Sequence, residues 1–137
     1  MSKSIRVMIT DDHPIYRKAA AAVLQCHPEF EVVGFCSSGA EALEQIPVIK
    51  PDIVLMDVHM QPMDGIETTS RIIAIDPSQK IIGFSLETRP SIAERMLNAG
   101  ALGYITKSST RQEICEGIME VVKGKKYVCR EVRVENR

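Results

Sequence analysis

Five short β-branched runs alternate with five helix-like stretches along this chain, and that alternation leaves few folds open. The runs occupy residues 5–9, 31–35, 53–56, 80–84 and 103–106. Three of them are nearly continuous in apolar character, as strands are when both faces of their sheet are covered. The intervening stretches carry helical periodicity. Ala19, Ala20, Val23 and Leu24 lie on one face of the first, and Leu43 and Ile46 mark the second. Ile66, Thr69 and Ile73 mark the third, and Ile92, Ala93, Met96 and Leu97 the fourth. Ile114, Ile118, Val121 and Val122 follow i, i+4, i+7, i+8 in the fifth. Punctuation agrees. Pro14 suits a first helical position, and Ser38 with Glu41 has capping-box spacing. Gly100 and Gly124 suit helix stops. Pro47 should end or kink the second helix near Ile46.

Strands alternating with helices imply a doubly wound α/β fold, with a parallel sheet covered on both faces and right-handed crossovers. Five strands suit the flavodoxin-like order 2-1-3-4-5. A chain of 137 residues suits one core. We expect a (βα)5 domain over residues 1–124. Residues 125–137 hold apolar Tyr127, Val128, Val132 and Val134 among basic Lys125, Lys126, Arg130, Arg133 and Arg137, and read as a tail or the start of a linker. A formal net charge of −1 argues against a strongly basic nucleic-acid binder. No apolar run approaches the ~20 residues of a membrane span, and the first residues lack a signal-peptide core. The cytoplasm is the expected compartment. Cys26, Cys36, Cys115 and Cys129 form no zinc-type spacing and read as reduced, mostly packed thiols.

Ligands of open parallel sheets bind beyond the carboxyl ends of the strands, where the strand order reverses. Asp11 and Asp12 follow the first run, and Asp57 ends the third. Ser85 ends the fourth, and Lys107 follows the fifth. In the expected order, strands one and three are neighbours, so three carboxylates converge on one shallow cleft. Their mutual repulsion calls for a cation, and hard oxygen ligands partly open to water favour Mg2+. Asp57, a single acid on the central strand, is the best nucleophile toward phosphorus. Asp11 and Asp12 suit metal ligation. Lys107 and Ser85 can stabilise the transferring phosphoryl oxygens.

These residues carry a resemblance. Asp11-Asp12-His13-Pro14, Asp57-Val58-His59-Met60 with Met63-Asp64-Gly65, Ser85, Ala99-Gly100-Ala101 with Gly103-Tyr104, and Lys107 resemble the receiver domain of bacterial two-component response regulators. The likeness covers about residues 5–124. The Asp-Asp-His-Pro start and the segment 100–107 are most similar to the NarL/LuxR-type subgroup. The resemblance implies that Asp57 accepts phosphate from a sensor histidine kinase. It implies that Asp11, Asp12, Asp57 and the His59 backbone carbonyl hold Mg2+, while Ser85 and Lys107 bind the phosphoryl group. It also implies transcriptional output through a C-terminal helix-turn-helix domain, DNA contact through that domain, and a homodimer on phosphorylation. Such a chain is a switch and not an enzyme. Two departures stand out. The loop after Asp57 reads Met60-Gln61-Pro62-Met63, with proline one place later than is common, which bears on the loop's conformation. Ser108 replaces a common proline after Lys107, so a cis bond there is not expected.

Phosphorylation would draw on Ser85, shift the loop 85–88 and leave room near Tyr104. Tyr104 then either turns inward, as the resemblance implies, or stands as a static strand aromatic with its hydroxyl at the surface. The output face would lie on helix four, strand five and helix five, with basic character from Arg89, Arg95 and Lys107. His59 and Glu87, each two residues beyond a site residue, are expected to tune the phosphate's lifetime. His13 reads as a loop residue. A stand-alone receiver acting by protein contact, an aspartyl-phosphate-type hydrolase and a flavin-binding protein are the alternatives. The hydrolase wants a second acid where His59 stands, and a flavin phosphate would be repelled by Asp11 and Asp12.

Overall fold

The computed structural model describes residues 4–25 and 27–135. Its elements are β1 (Ile5–Thr10), α1 (Pro14–Gln25), β2 (Phe30–Cys36), α2 (Gly39–Ile49), β3 (Ile53–Met56) and α3 (Gly65–Ile75). They continue with β4 (Lys80–Ser85), α4 (Pro90–Asn98), β5 (Gly103–Thr106), α5 (Arg111–Val122), β6 (Tyr127–Val128) and α6 (Arg130–Glu135). The sheet order is β2-β1-β3-β4-β5-β6, all parallel. The direction of winding reverses between β1 and β3, as expected. Right-handed crossovers then place α1 on one face and α2, α3 and α4 on the other. Ile53, Val54, Leu55 and Met56 of β3 are all buried, as are Val7, Met8 and Ile9 beside them. This explains their unbroken apolar character.

Local signals acted largely as read. Ser38 Oγ accepts the Glu41 N–H at 3.1 Å, but Glu41 reaches back to Ser37 N rather than to Ser38. Gly100 and Gly124 take φ of 118° and 86°. The apolar face of α1 is rotated from the expectation. Ala20, Ala21 and Leu24 are buried, Val23 is half-buried, and Ala19 is exposed.

Two expectations need correction. Helix α2 runs through Pro47 to Ile49 and ends on Lys50 at φ 54°. Pro47 stands in the last turn, where it removes a single helical bond. The end beyond it is secured when the Arg6 guanidinium donates to the carbonyls of Ile49 (2.8 Å) and Lys50 (2.7 Å). The segment read as a tail or linker is instead folded. Tyr127–Val128 extends the sheet beside β5, and α6 packs against α4 with Cys129 and Val132 buried. Tyr127, Val128, Cys129 and Val132 form this small interface. Cys36 is likewise a buried thiol, whose pKa burial pushes up to about 11. Cys26 lies outside the described residues.

Candidate functional site

The carboxyl ends of β1 and β3 bring the three acids together. Ligand atoms of Asp11, Asp12, His13 and Asp57 all lie within 4.8 Å of one another. Asp57 is 4% exposed. Its pKa is raised, first by burial and further by Asp11 and Asp12, while Lys107 and the Val58 N–H oppose the rise. The loop beyond it folds tightly. Gly65 N–H donates to the Val58 carbonyl at 2.8 Å, and a Cβ on Gly65 would sit 2.0 Å from the Asp57 carbonyl oxygen. Only glycine fits there, and Asp64 before it caps α3 by accepting Glu67 N–H at 2.8 Å. The displaced proline is accommodated by a cis Gln61–Pro62 bond, and Lys107–Ser108 is trans.

Lys107 reaches the site from the end of β5. Its Nζ is bonded to Asp11 Oδ2, lies 3.6 Å from Asp57 Oδ1 and sits 4.3 Å above the Tyr16 ring. The lysine side chain is only 10% exposed. It therefore adds nothing to the basic character expected of the output face, which rests on exposed Arg89 and Arg95. Asp11 Oδ1 takes the His13 N–H at 2.9 Å. The His13 ring nitrogen Nδ1 is 2.9 Å from Asp12 Oδ1, without the alignment of a hydrogen bond, so that buried oxygen has no hydrogen-bond partner. A buried, unbonded carboxylate oxygen among two further acids is a donor set that fits a hard divalent cation.

At the mouth of the cleft the structure joins the two residues expected to tune lifetime. His59 Nε2 lies 3.0 Å from Glu87 Oε1, and Arg89 grips the same carboxylate from Nη2 (2.8 Å) and Nε (2.9 Å). These contacts, Arg89 first, hold the Glu87 carboxyl down at about 2. Ser85 Oγ is buried and accepts the Glu87 N–H at 3.1 Å. Tyr104 is inward and fully buried, and its hydroxyl donates to the Glu87 carbonyl at 2.7 Å. A surface hydroxyl at Tyr104 is thereby excluded. The strand pairing sets Tyr104 against Gly83, where a Cβ would come within 2.7 Å of the ring.

Sequence reasoning missed His13 as a member of the acidic cluster, Tyr16 beneath Lys107, and Arg89 as the partner of Glu87. The first two had a local signal, since His13 adjoins Asp12 and Tyr16 lies one helical turn beyond it. Arg89 had none.

The chain has recognisable relatives. The model of the response regulator receiver domain matches residues 7–119. The transcriptional regulatory protein LiaR of Bacillus subtilis (strain 168) is 38% identical over 120 residues, which are 88% of this chain and 57% of LiaR. A crystal structure of a LuxR-family two-component response regulator from Aurantimonas sp. SI85-9A1 superposes with a TM-score of 0.93 at 31% identity, over 97% of this chain and 95% of that one. The signal receiver domain of NarL from Mycobacterium tuberculosis superposes with a TM-score of 0.84 at 32% identity, over 90% of this chain and 100% of that one. The chain spans only 57–58% of the length of curated relatives such as LiaR and GacA. With the sheet order, the strand-end acids and these likenesses together, the chain belongs to the response regulator receiver domain family and is of its NarL/LuxR type.

Proposed function

We propose that Asp57 accepts a phosphoryl group from the phosphohistidine of a sensor histidine kinase in the cytoplasm, and that the new charge resets an output surface governing transcription through a DNA-binding domain and a dimer. The observation that carries this reading is a buried Asp57, 3.6 Å from the Lys107 ammonium and beside two more strand-end acids. Asp11, Asp12, Asp57 and the His59 backbone carbonyl would hold Mg2+. When bound, the ion neutralises charge on the transferring phosphoryl oxygens.

The rest belongs to the chain. An Asp57 carboxylate oxygen attacks phosphorus as the phosphorus–nitrogen bond of the donor breaks, and the leaving imidazole takes up a proton. Lys107 exchanges its bond to Asp11 for one to the phosphoryl group. Ser85 donates its hydroxyl to a phosphoryl oxygen, which frees the loop at Glu87 and with it the carbonyl that Tyr104 holds. His59 and Glu87, already bonded across the cleft, govern water's approach and so the phosphate's lifetime. Intact-mass measurement after incubation with acetyl phosphate should show one adduct per chain, dependent on Mg2+ and lost in Asp57→Asn. His59→Ala and Glu87→Ala should each change the adduct's decay rate. Equal labelling of the Asp57→Asn variant would end the assignment.

A further inference from the structure

One oxygen of Glu131, on α6, accepts two hydroxyls that flank Lys107. Oε1 takes Thr106 Oγ1 at 2.8 Å and Ser108 Oγ at 3.0 Å. Thr106 is fully buried, and its hydroxyl also meets Ser109 Oγ at 2.9 Å. The Lys107 N–H itself donates to the Ser85 carbonyl at 2.8 Å. The backbone carrying the site's cation is thus gripped by β4 on one side and, through both neighbouring residues, by the last helix on the other. That helix is firmly seated. Cys129 N–H donates to the Tyr104 carbonyl at 3.0 Å, and Glu113 Oε2 accepts Arg130 N–H at 2.7 Å and Tyr127 O–H at 2.8 Å.

We infer that Glu131 is a positioning residue for Lys107, so that the docking of α6 and the phosphorylation of Asp57 depend on each other; this rests on the phosphoacceptor reading above. The lysine ammonium sits on a long flexible stem, so its placement at Asp57 follows the backbone of 106–108. Misplacing a reacting group by ~1 Å can cost ~10²-fold in rate. When Lys107 leaves Asp11 for a phosphoryl group, the segment 106–108 moves, and the two hydroxyls move with it under the Glu131 carboxylate. The placement of the ammonium governs the rate of phosphoryl transfer, and the move of segment 106–108 strains the Glu131 contacts, so that α6 loosens once the label is on.

The test compares the parent, Glu131→Ala and Glu131→Gln with acetyl phosphate and Mg2+. Labelling is followed by intact mass, and amide exchange over residues 127–135 is read with and without label. Glu131→Ala should label about fivefold or more slowly, within the loss that a sub-ångström misplacement of Lys107 costs. Glu131→Gln, which keeps an acceptor oxygen, should lie nearer the parent. Labelling should speed exchange in α6 of the parent and leave that of Glu131→Ala unchanged. Parent and Glu131→Ala labelling at one rate, or α6 exchange in the parent indifferent to the label, overturns the inference. Should Glu131→Ala lose its fold by circular dichroism, Ser108→Ala removes one exposed donor and should slow labelling less. No slowing there overturns it equally. A parent that takes no label at all removes the phosphoacceptor reading itself, which is a separate result.

Discussion

Asp57 sits where a carboxylate is hard to ionise, because burial and two neighbouring acids disfavour its charge more than Lys107 relieves it. Its folded pKa lies above the unfolded one, so the native state binds more protons than the unfolded chain between the two values. Stability attributable to this group is present below the unfolded pKa and is lost as pH rises through the folded pKa. Asp57→Asn should therefore melt higher than the parent at neutral pH without metal. The gap should close in acid, and Mg2+ should stabilise only the parent. Calorimetry across pH decides this, and a parent that melts above the variant at neutral pH without metal contradicts it. The Lys107–Asp11 bond makes a companion prediction, since the ammonium competes with any cation for Asp11. Lys107→Ala should bind Mg2+ at least as tightly as the parent, and Asp12→Asn about tenfold or more weakly. A fluorescence titration in which both variants bind like the parent would refute that division of roles. Asp11, Asp12, Asp57, Ser85 and Lys107 were legible in the sequence because strand ends and strand order determine where they meet. The bonds of Lys107 to Asp11, of His59 to Glu87 and of Glu131 to Thr106 were not, since each depends on a side-chain rotamer chosen between segments far apart in the chain.

At the level of elements, the five βα units were readable because β-branched runs and helical periodicity differ sharply, most of all in β3, β4 and β5, which are buried almost throughout, and less in the half-exposed edge strand β2. Strand bounds fell within about a residue of the sequence reading. The misreadings share a cause, which is rescue of a weak local signal by tertiary contact. Pro47 ends a helix in isolation, but here Arg6 closes the turn beyond it. Residues 127–128 are too short to register as a strand, and α6 is a single short helix. They hold because the edge of β5 offers Leu102 and Tyr104 carbonyls to the N–H groups of Tyr127 and Cys129, at 3.1 and 3.0 Å. Removing residues 125–137 should consequently destabilise the domain. Exposing the contacts of buried Cys129 and Val132 costs roughly 2–4 kcal/mol by apolar area, before the lost ladder bonds. Urea unfolding of the shortened and full chains measures this. Coincident midpoints would show that β6 and α6 contribute nothing to the fold.

For the whole molecule, charge and architecture point the same way on nucleic acid. Non-specific affinity for duplex DNA comes mainly from releasing counterions with clustered Lys and Arg, and this chain carries 17 such residues against 18 acids. The basic residues near its C-terminal end belong to the segment that reads in the sequence as a tail or the start of a linker. In the structure some are engaged: Arg130 lies 3.7 Å from Glu116, and the Arg133 guanidinium lies 5.4 Å from the centre of the Tyr127 ring. Among the described residues, helices alternate with strands of one sheet, so no helix pair stands free to enter a major groove. We therefore expect residues 1–137 alone to bind duplexes only weakly, with affinity that falls steeply as salt rises and ignores base sequence. Phosphorylation at Asp57 adds negative charge and should weaken even that contact. Fluorescence anisotropy with a panel of duplexes, at low and at physiological salt and with and without acetyl phosphate, tests each part. Salt-resistant binding that discriminates between sequences would place a recognition surface on the receiver itself, and the proposed division between a phosphoacceptor domain and a separate DNA-reading domain would then have to be abandoned.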